Sequence, residues 1–224
     1  ESPMKFRFKI QQYQTDAVES VARVFRGQPY VDGVGYVRDL GAGVQLAMRL
    51  DPENAVIDPA DDTGYKNEAL RLTDAELLSN IHAVQDENNI RRSAQLNRDL
   101  GRCALDVEME TGTGKTYVYI KTMFELNKRY GWSKYIVVVP SIAIREGVKK
   151  SFEITEDHFM ELYGKKARCF VYDSKNLNQL DAFSSDAGIN VMIINTQKFA
   201  TSLKEGGRSK GSLIIYSPRD EFAS

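Results

Sequence analysis

The sequence predicts an α/β chain with a mainly parallel sheet flanked by helices, and three observations predict it. Apolar strand-like runs alternate with helical stretches from Cys103 onward. The run Tyr135-Ile136-Val137-Val138-Val139 is unbroken by any polar residue and closes at Pro140. A Gly/Thr-rich turn, Glu110 to Lys115, joins a strand-like segment to a helix-like one. Alternation of this kind implies crossover connections and parallel pairing. An unbroken β-branched run reads as a strand buried on both faces.

Taken in order, Gln12 to Phe25 has the spacing of an amphipathic helix, with Tyr13, Ala17 and Val21 four apart. Gln28 to about Leu72 is rich in Gly, Asp and Pro and has little periodicity. Thr73 opens a helix through a capping box with Glu76, and Leu77, Leu78, Ile81 and Val84 supply its apolar face. Residues 28–100 are read as an insertion ahead of the strand Cys103 to Met109. From Thr116 a helical period follows through Tyr117, Ile120 and Phe124, and Gly131 stops it. After the strand at 135–139, Ser141 caps a helix to about Phe152. Cys169 to Tyr172 and Val191 to Ile194 read as short strands, and Leu213 to Tyr216 as a possible further one.

Composition is that of an ordinary globular protein, with 42% hydrophobic and 27% charged residues in 224. The formal net charge of −1 means that a nucleic-acid site must be a local patch. Cys103 and Cys169 form no CxxC pair, which argues against a zinc or disulfide scaffold and fits a reducing cytoplasm. No apolar run has the length of a membrane span. Glu1 to Pro3 read as residues ahead of a natural start at Met4, without the regions of a signal peptide. His82 and His158 stand alone at non-ligand spacings and read as structural or exposed. Arg91, Arg92, Arg98 and Arg102 read as a solvated basic face, with a nucleic-acid or partner contact as the other reading. Trp132, Tyr135 and Tyr130 read as core or capping contacts.

The chemistry concentrates in Met109-Glu110-Thr111-Gly112-Thr113-Gly114-Lys115-Thr116. Glycines at 112 and 114 allow backbone angles closed to other residues. Successive N–H groups of Thr111, Gly112, Thr113 and Gly114 can then converge on a phosphate at a helix N-terminus. Lys115 can reach the terminal phosphates of ATP, and the Thr116 hydroxyl can ligate Mg2+. Met109 stands where the general motif has Gly. A small GTPase would need Asn-Lys-x-Asp, and Asn127-Lys128 is followed here by Arg129-Tyr130.

That loop resembles the Walker A motif of superfamily 2 helicases and translocases, and the resemblance implies a RecA-like P-loop NTPase domain. Tyr13-Gln14 with Ala17 resembles the Q-type motif, which implies that Gln14 reads adenine; the bland reading is a polar residue on an amphipathic helix. Val139-Pro140-Ser141 through Arg145 resembles motif Ia, implying that Pro140, Ser141 and Arg145 contact a nucleic-acid backbone. Ile194-Asn195-Thr196-Gln197 resembles motif Ib, with the same implication for Asn195, Thr196 and Gln197. The alternative for both stretches is an ordinary strand-end turn. The longer segments 109–119, 125–131, 138–148 and 171–175 are similar to the restriction (Res) subunits of type III restriction–modification enzymes. This implies a motor that uses ATP and Mg2+ on double-stranded DNA, with a DNA-methyltransferase (Mod) subunit as partner. The N-terminal domain of another superfamily 2 helicase is the alternative.

A Walker B strand leading into Asp-Glu is expected of such a domain. Asp220-Glu221 follows Leu213 to Tyr216 only after Ser217, Pro218 and Arg219, and Pro218 cannot continue a central strand. The pair is therefore read as a loop. The expectation is a first RecA-like domain over residues 1–224 that ends before Walker B, inactive as an ATPase or nuclease by itself.

Overall fold

The computed structural model describes residues 8–37, 63–99, 101–173, 177–195 and 213–216. Their order is α1 (Gln12–Val24), β1 (Val34–Val37), β2 (Thr63–Lys66), α2 (Asp74–Glu87), α3 (Lys115–Tyr130), β3 (Lys134–Val139), α4 (Ile142–Tyr163), β4 (Ala167–Val171), α5 (Leu177–Ser185), β5 (Ile189–Asn195) and β6 (Leu213–Tyr216). The main sheet has the order β4-β5-β3-β6 and is parallel throughout. All of β3 is buried, as its composition predicts.

Period-two alternation sorts β3 between two clusters. Tyr135, Val137 and Val139 face a core shared with Val191 and Ile193 and with helix residues Ala22, Leu77, Ile120, Met123, Leu126 and Phe159. Ile136 and Val138 join Ile194 in a smaller cluster with Met192 and Tyr172 at its edge. The larger cluster therefore collects the apolar stripes of α1, α2, α3 and α4 on one sheet face. The turn Gly131 to Ser133 is short, so α3 and β3 run antiparallel. The N-terminus of α3 thus lies at the end of the sheet where β3 finishes.

Helix boundaries follow local chemistry. At α2, Thr73 Oγ1 accepts from Glu76 N at 3.2 Å, and the Glu76 carboxylate accepts from Thr73 N at 2.7 Å. Gly131 takes φ +77° after α3, and Gly164 takes φ +66° after α4. A Cβ at Gly131 would sit 2.1 Å from the Val31 carbonyl oxygen, so the position requires Gly on two counts.

Three sequence expectations need correction. Cys103 to Met109 is not a strand; only Ala104 bridges, antiparallel, to Asn97, and Val107 is 49% exposed. Both edges of β3 are already paired, with β5 and β6, and the charged side chains of Asp106 and Glu108 are exposed. The helix from Ser141 extends to Tyr163 rather than Phe152, because Phe152 and Phe159 keep its core stripe going. The stretch from Gln28 to Leu72 holds a two-stranded antiparallel ribbon, β1 with β2, in the register Val34↔Lys66 and Val37↔Thr63.

The ribbon is tied to the start of β3. Asn67 Oδ1 accepts from Ser133 N at 2.7 Å and Lys134 N at 2.8 Å, and Asn67 Nδ2 donates to the Lys134 carbonyl at 2.8 Å. Trp132 Nε1 donates to the Glu68 carbonyl at 3.0 Å. Gln28 bonds across to Ala69 and Arg71. Trp132 and Tyr135 are buried, so the aromatic residues behind α3 are core residues as expected.

Candidate functional site

The loop before α3 is shaped by backbone angles that only glycine adopts easily. Gly112 has φ +79° and Gly114 has φ +84°. Between them, Thr113 Oγ1 donates to the Glu110 carbonyl at 2.6 Å, and its N–H reaches the same oxygen at 3.4 Å. The Gly114 carbonyl accepts the first helical bond, from Val118 N, at 3.0 Å. Gly114 is the cap residue of α3, and no side chain caps the helix start. Nothing lies within 4 Å of a Cβ built on Gly112. An uncapped helix start with open space before it suits an anion, by the helix dipole and its N–H groups together.

Lys115 opens the helix and is solvent-exposed. Thr116 is half-buried, with its hydroxyl beside the Tyr119 phenol. Burial pushes that phenol up to about 12, with the Thr116 hydroxyl pulling the other way. The residue set, two left-handed glycines, one ammonium and one hydroxyl at a helix N-terminus, fits a magnesium–triphosphate group.

Gln14 is brought to this loop by α1. Its Nε2 donates to the Thr113 carbonyl at 2.9 Å, and a Cβ at Gly114 would sit 2.6 Å from that nitrogen. A residue 99 positions away in sequence is thereby seated on the loop. One amide proton serves the loop backbone, which the adenine reading of Gln14 did not foresee.

The candidate backbone-contact residues collect at the same end of the sheet. Pro140 and Ser141 follow the last residue of β3, and the Ser141 hydroxyl accepts from Ile144 N at 3.3 Å as the cap of α4. The register Val139↔Asn195 sets Asn195 beside them. Arg145 is turned onto Glu146, at 2.9 Å. Thr196 and Gln197 lie outside the described residues, as do Pro218, Asp220 and Glu221.

Two features next to the loop were not legible in the sequence. Tyr117 OH and His158 Nε2 are 2.9 Å apart, joining the first turn of α3 to α4. Phe8 stacks on Tyr117 and tilts against His158. Burial holds His158 below the usual imidazole value, with Lys121 adding to the effect. His82 meets the Ser93 carbonyl at 2.8 Å. Among the described residues no three His, Cys, Asp or Glu side chains gather as a metal site. Arg92 pairs with Asp86, and Arg98 and Arg102 pair with Asp74, so these arginines brace the ends of α2.

The family model described as "Type III restriction enzyme, res subunit" matches residues 7–217. The chain is 39% identical over 111 residues to the type III restriction-modification enzyme EcoPI Res subunit of Escherichia phage P1. It is 39% identical over 111 residues to the EcoP15I Res subunit of Escherichia coli. The StyLTI Res subunit of Salmonella typhimurium is 35% identical over 105 residues. Those stretches cover 49%, 49% and 46% of this chain and 11% of each relative's length.

Proposed function

The chain belongs to the family of type III restriction enzyme res subunits, and from that membership we propose that it is the ATP-binding motor domain of such a subunit. In this reading it couples ATP hydrolysis to movement on double-stranded DNA. The observation that carries the proposal is the loop Thr111 to Thr116. Its two left-handed glycines aim an uncapped helix start at open space, with Lys115 and Thr116 on the first turn.

The roles follow from position. The loop residues Thr111, Gly112, Thr113 and Gly114 would hold the phosphates, Lys115 would neutralise the terminal charge, and Thr116 would offer its hydroxyl to Mg2+. Gln14, held on the loop by its bond to the Thr113 carbonyl, would read the adenine base from α1. When bound, ATP would supply the phosphoanhydride whose hydrolysis releases the energy for movement, and Mg2+ would offset the charge on its phosphates. Pro140, Ser141, Arg145 and Asn195, with Thr196 and Gln197, form the DNA-backbone contact at the neighbouring strand ends, where helix N–H groups and a guanidinium suit phosphate oxygens. Residues 28–100 are an insertion in this domain. Cleavage of DNA and partnership with a DNA-methyltransferase (Mod) subunit belong to the whole subunit, and the cell compartment in this reading is the cytoplasm. Among the described residues no helix is long and apolar enough to cross a membrane.

The proposal is tested by measuring phosphate release from ATP by the full-length subunit, with and without duplex DNA. Release stimulated by DNA in the wild type, with the stimulation lost in Arg145→Ala, is the expected result. Release that ignores DNA in both proteins would remove the motor assignment.

A further inference from the structure

Helix α1 is held against α3 at both ends, and the two attachments have different chemistry. At one end Gln14 Nε2 bonds to the loop carbonyl of Thr113 at 2.9 Å. At the other, the Arg129 guanidinium forks onto Glu19, Nη1 to Oε1 at 3.1 Å and Nη2 to Oε2 at 2.5 Å. Its Nε donates to Glu125 Oε2 at 3.0 Å. Glu125 Oε1 in turn accepts from Tyr163 OH at 2.8 Å, which brings in α4. Beside this network Tyr130 OH donates to the Ala22 carbonyl at 2.7 Å. Glu19 is five residues beyond Gln14 on one rigid helix, about 7.5 Å along its axis. A bidentate pair fixes translation and rotation together, which a single ammonium cannot do.

We infer that Arg129, through its fork onto Glu19, is a positioning residue that sets the register of Gln14 over the phosphate loop and so sets the selectivity of the site for adenine among nucleotide bases. The inference rests on the ATP reading above and deepens it. The loop keeps bonds of its own, Thr113 to Glu110 and Val118 to Gly114, beside the one that Gln14 makes to the Thr113 carbonyl. Loosening α1 therefore separates the two halves of nucleotide recognition. Capture of the triphosphate stays with the loop, and discrimination at the base goes slack. The network is only partly exposed, with side-chain accessibilities of 31% for Arg129, 40% for Glu19 and 15% for Glu125.

The test is competition binding to the full-length protein, with ATP, GTP and inorganic tripolyphosphate as probes. The variants are Arg129→Lys, Glu19→Gln and Gln14→Ala. Arg129→Lys and Glu19→Gln are each expected to reduce the ATP-over-GTP preference by about fivefold or more while tripolyphosphate affinity stays within about twofold. Equal loss for ATP and tripolyphosphate would overturn the inference, since that is what general loosening of the fold produces. An unchanged preference in both single variants overturns it as well. Gln14→Ala separates the levels. If it alone abolishes the preference, adenine recognition stands and only the positioning role falls. If it too leaves the preference unchanged, recognition by Gln14 falls with it.

Discussion

Lys134 shows how much a single residue can ask of the fold. It is the first residue of β3 and is 1% exposed. Its ammonium donates to the Asp186 and Gly188 carbonyls and lies 5.5 Å from the Phe183 ring centre. Burial brings its pKa down from 10.5 to about 8, with Asp186 opposing and Arg168 assisting. The native state therefore holds fewer protons than the unfolded chain between about 8 and 10.5, and stability contributed by this group rises with pH through that window. Urea unfolding at a series of pH values should show wild type gaining on Lys134→Met from pH 8 to pH 10. A constant difference would mean that the ammonium is not desolvated. Gly114 makes a second residue-scale case. Gly114→Ala meets both a left-handed backbone angle, about 1–2 kcal/mol, and the Gln14 amide at 2.6 Å. It should cut ATP affinity about tenfold or more, read by titration, and lower the melting temperature by a few degrees.

Elements here are set by short signals that sequence displays and by long contacts that it hides. The capping box at Thr73 and Glu76, the unbroken run of β3 and the Gly131 stop all formed as their local chemistry requires. Thr73→Ala should cost about 1 kcal/mol of unfolding free energy. The β1–β2 ribbon had no such signal, because Val34 to Val37 and Thr63 to Lys66 are four-residue strands broken by Gly35 and Gly64. Their placement depends instead on Asn67, whose amide satisfies three backbone groups of Ser133 and Lys134. Asn67→Ala strands those groups and should destabilise by about 2 kcal/mol or more, seen as a lower urea midpoint. No change would show that the ribbon is held without it. At 103–109 the alternation of apolar and acidic residues read as a strand. A strand also needs a ladder partner, and this stretch bridges only at Ala104, to Asn97.

At the scale of the molecule, the parallel sheet puts the phosphate loop, the start of α4 and Asn195 at one end, and the ribbon with Lys134 at the other. The first of these was largely legible in the sequence, because glycine spacing, a Ser cap and a Pro after a strand are local marks. What escaped it was the company that each residue keeps. Gln14 sits on the Thr113 carbonyl, and Tyr117 meets His158 across two helices. Such pairs are 99 and 41 residues apart and depend on how helices pack, which no local pattern encodes.

The central claim is that Gly112 to Thr116 gather a triphosphate at the head of α3. Calorimetric titration of ATP with magnesium into wild type and Lys115→Ala tests it most directly. The account predicts a saturable heat in the wild type and a binding loss of about a hundredfold or more in the variant, with both proteins melting alike. Matching heats in the two proteins would contradict it.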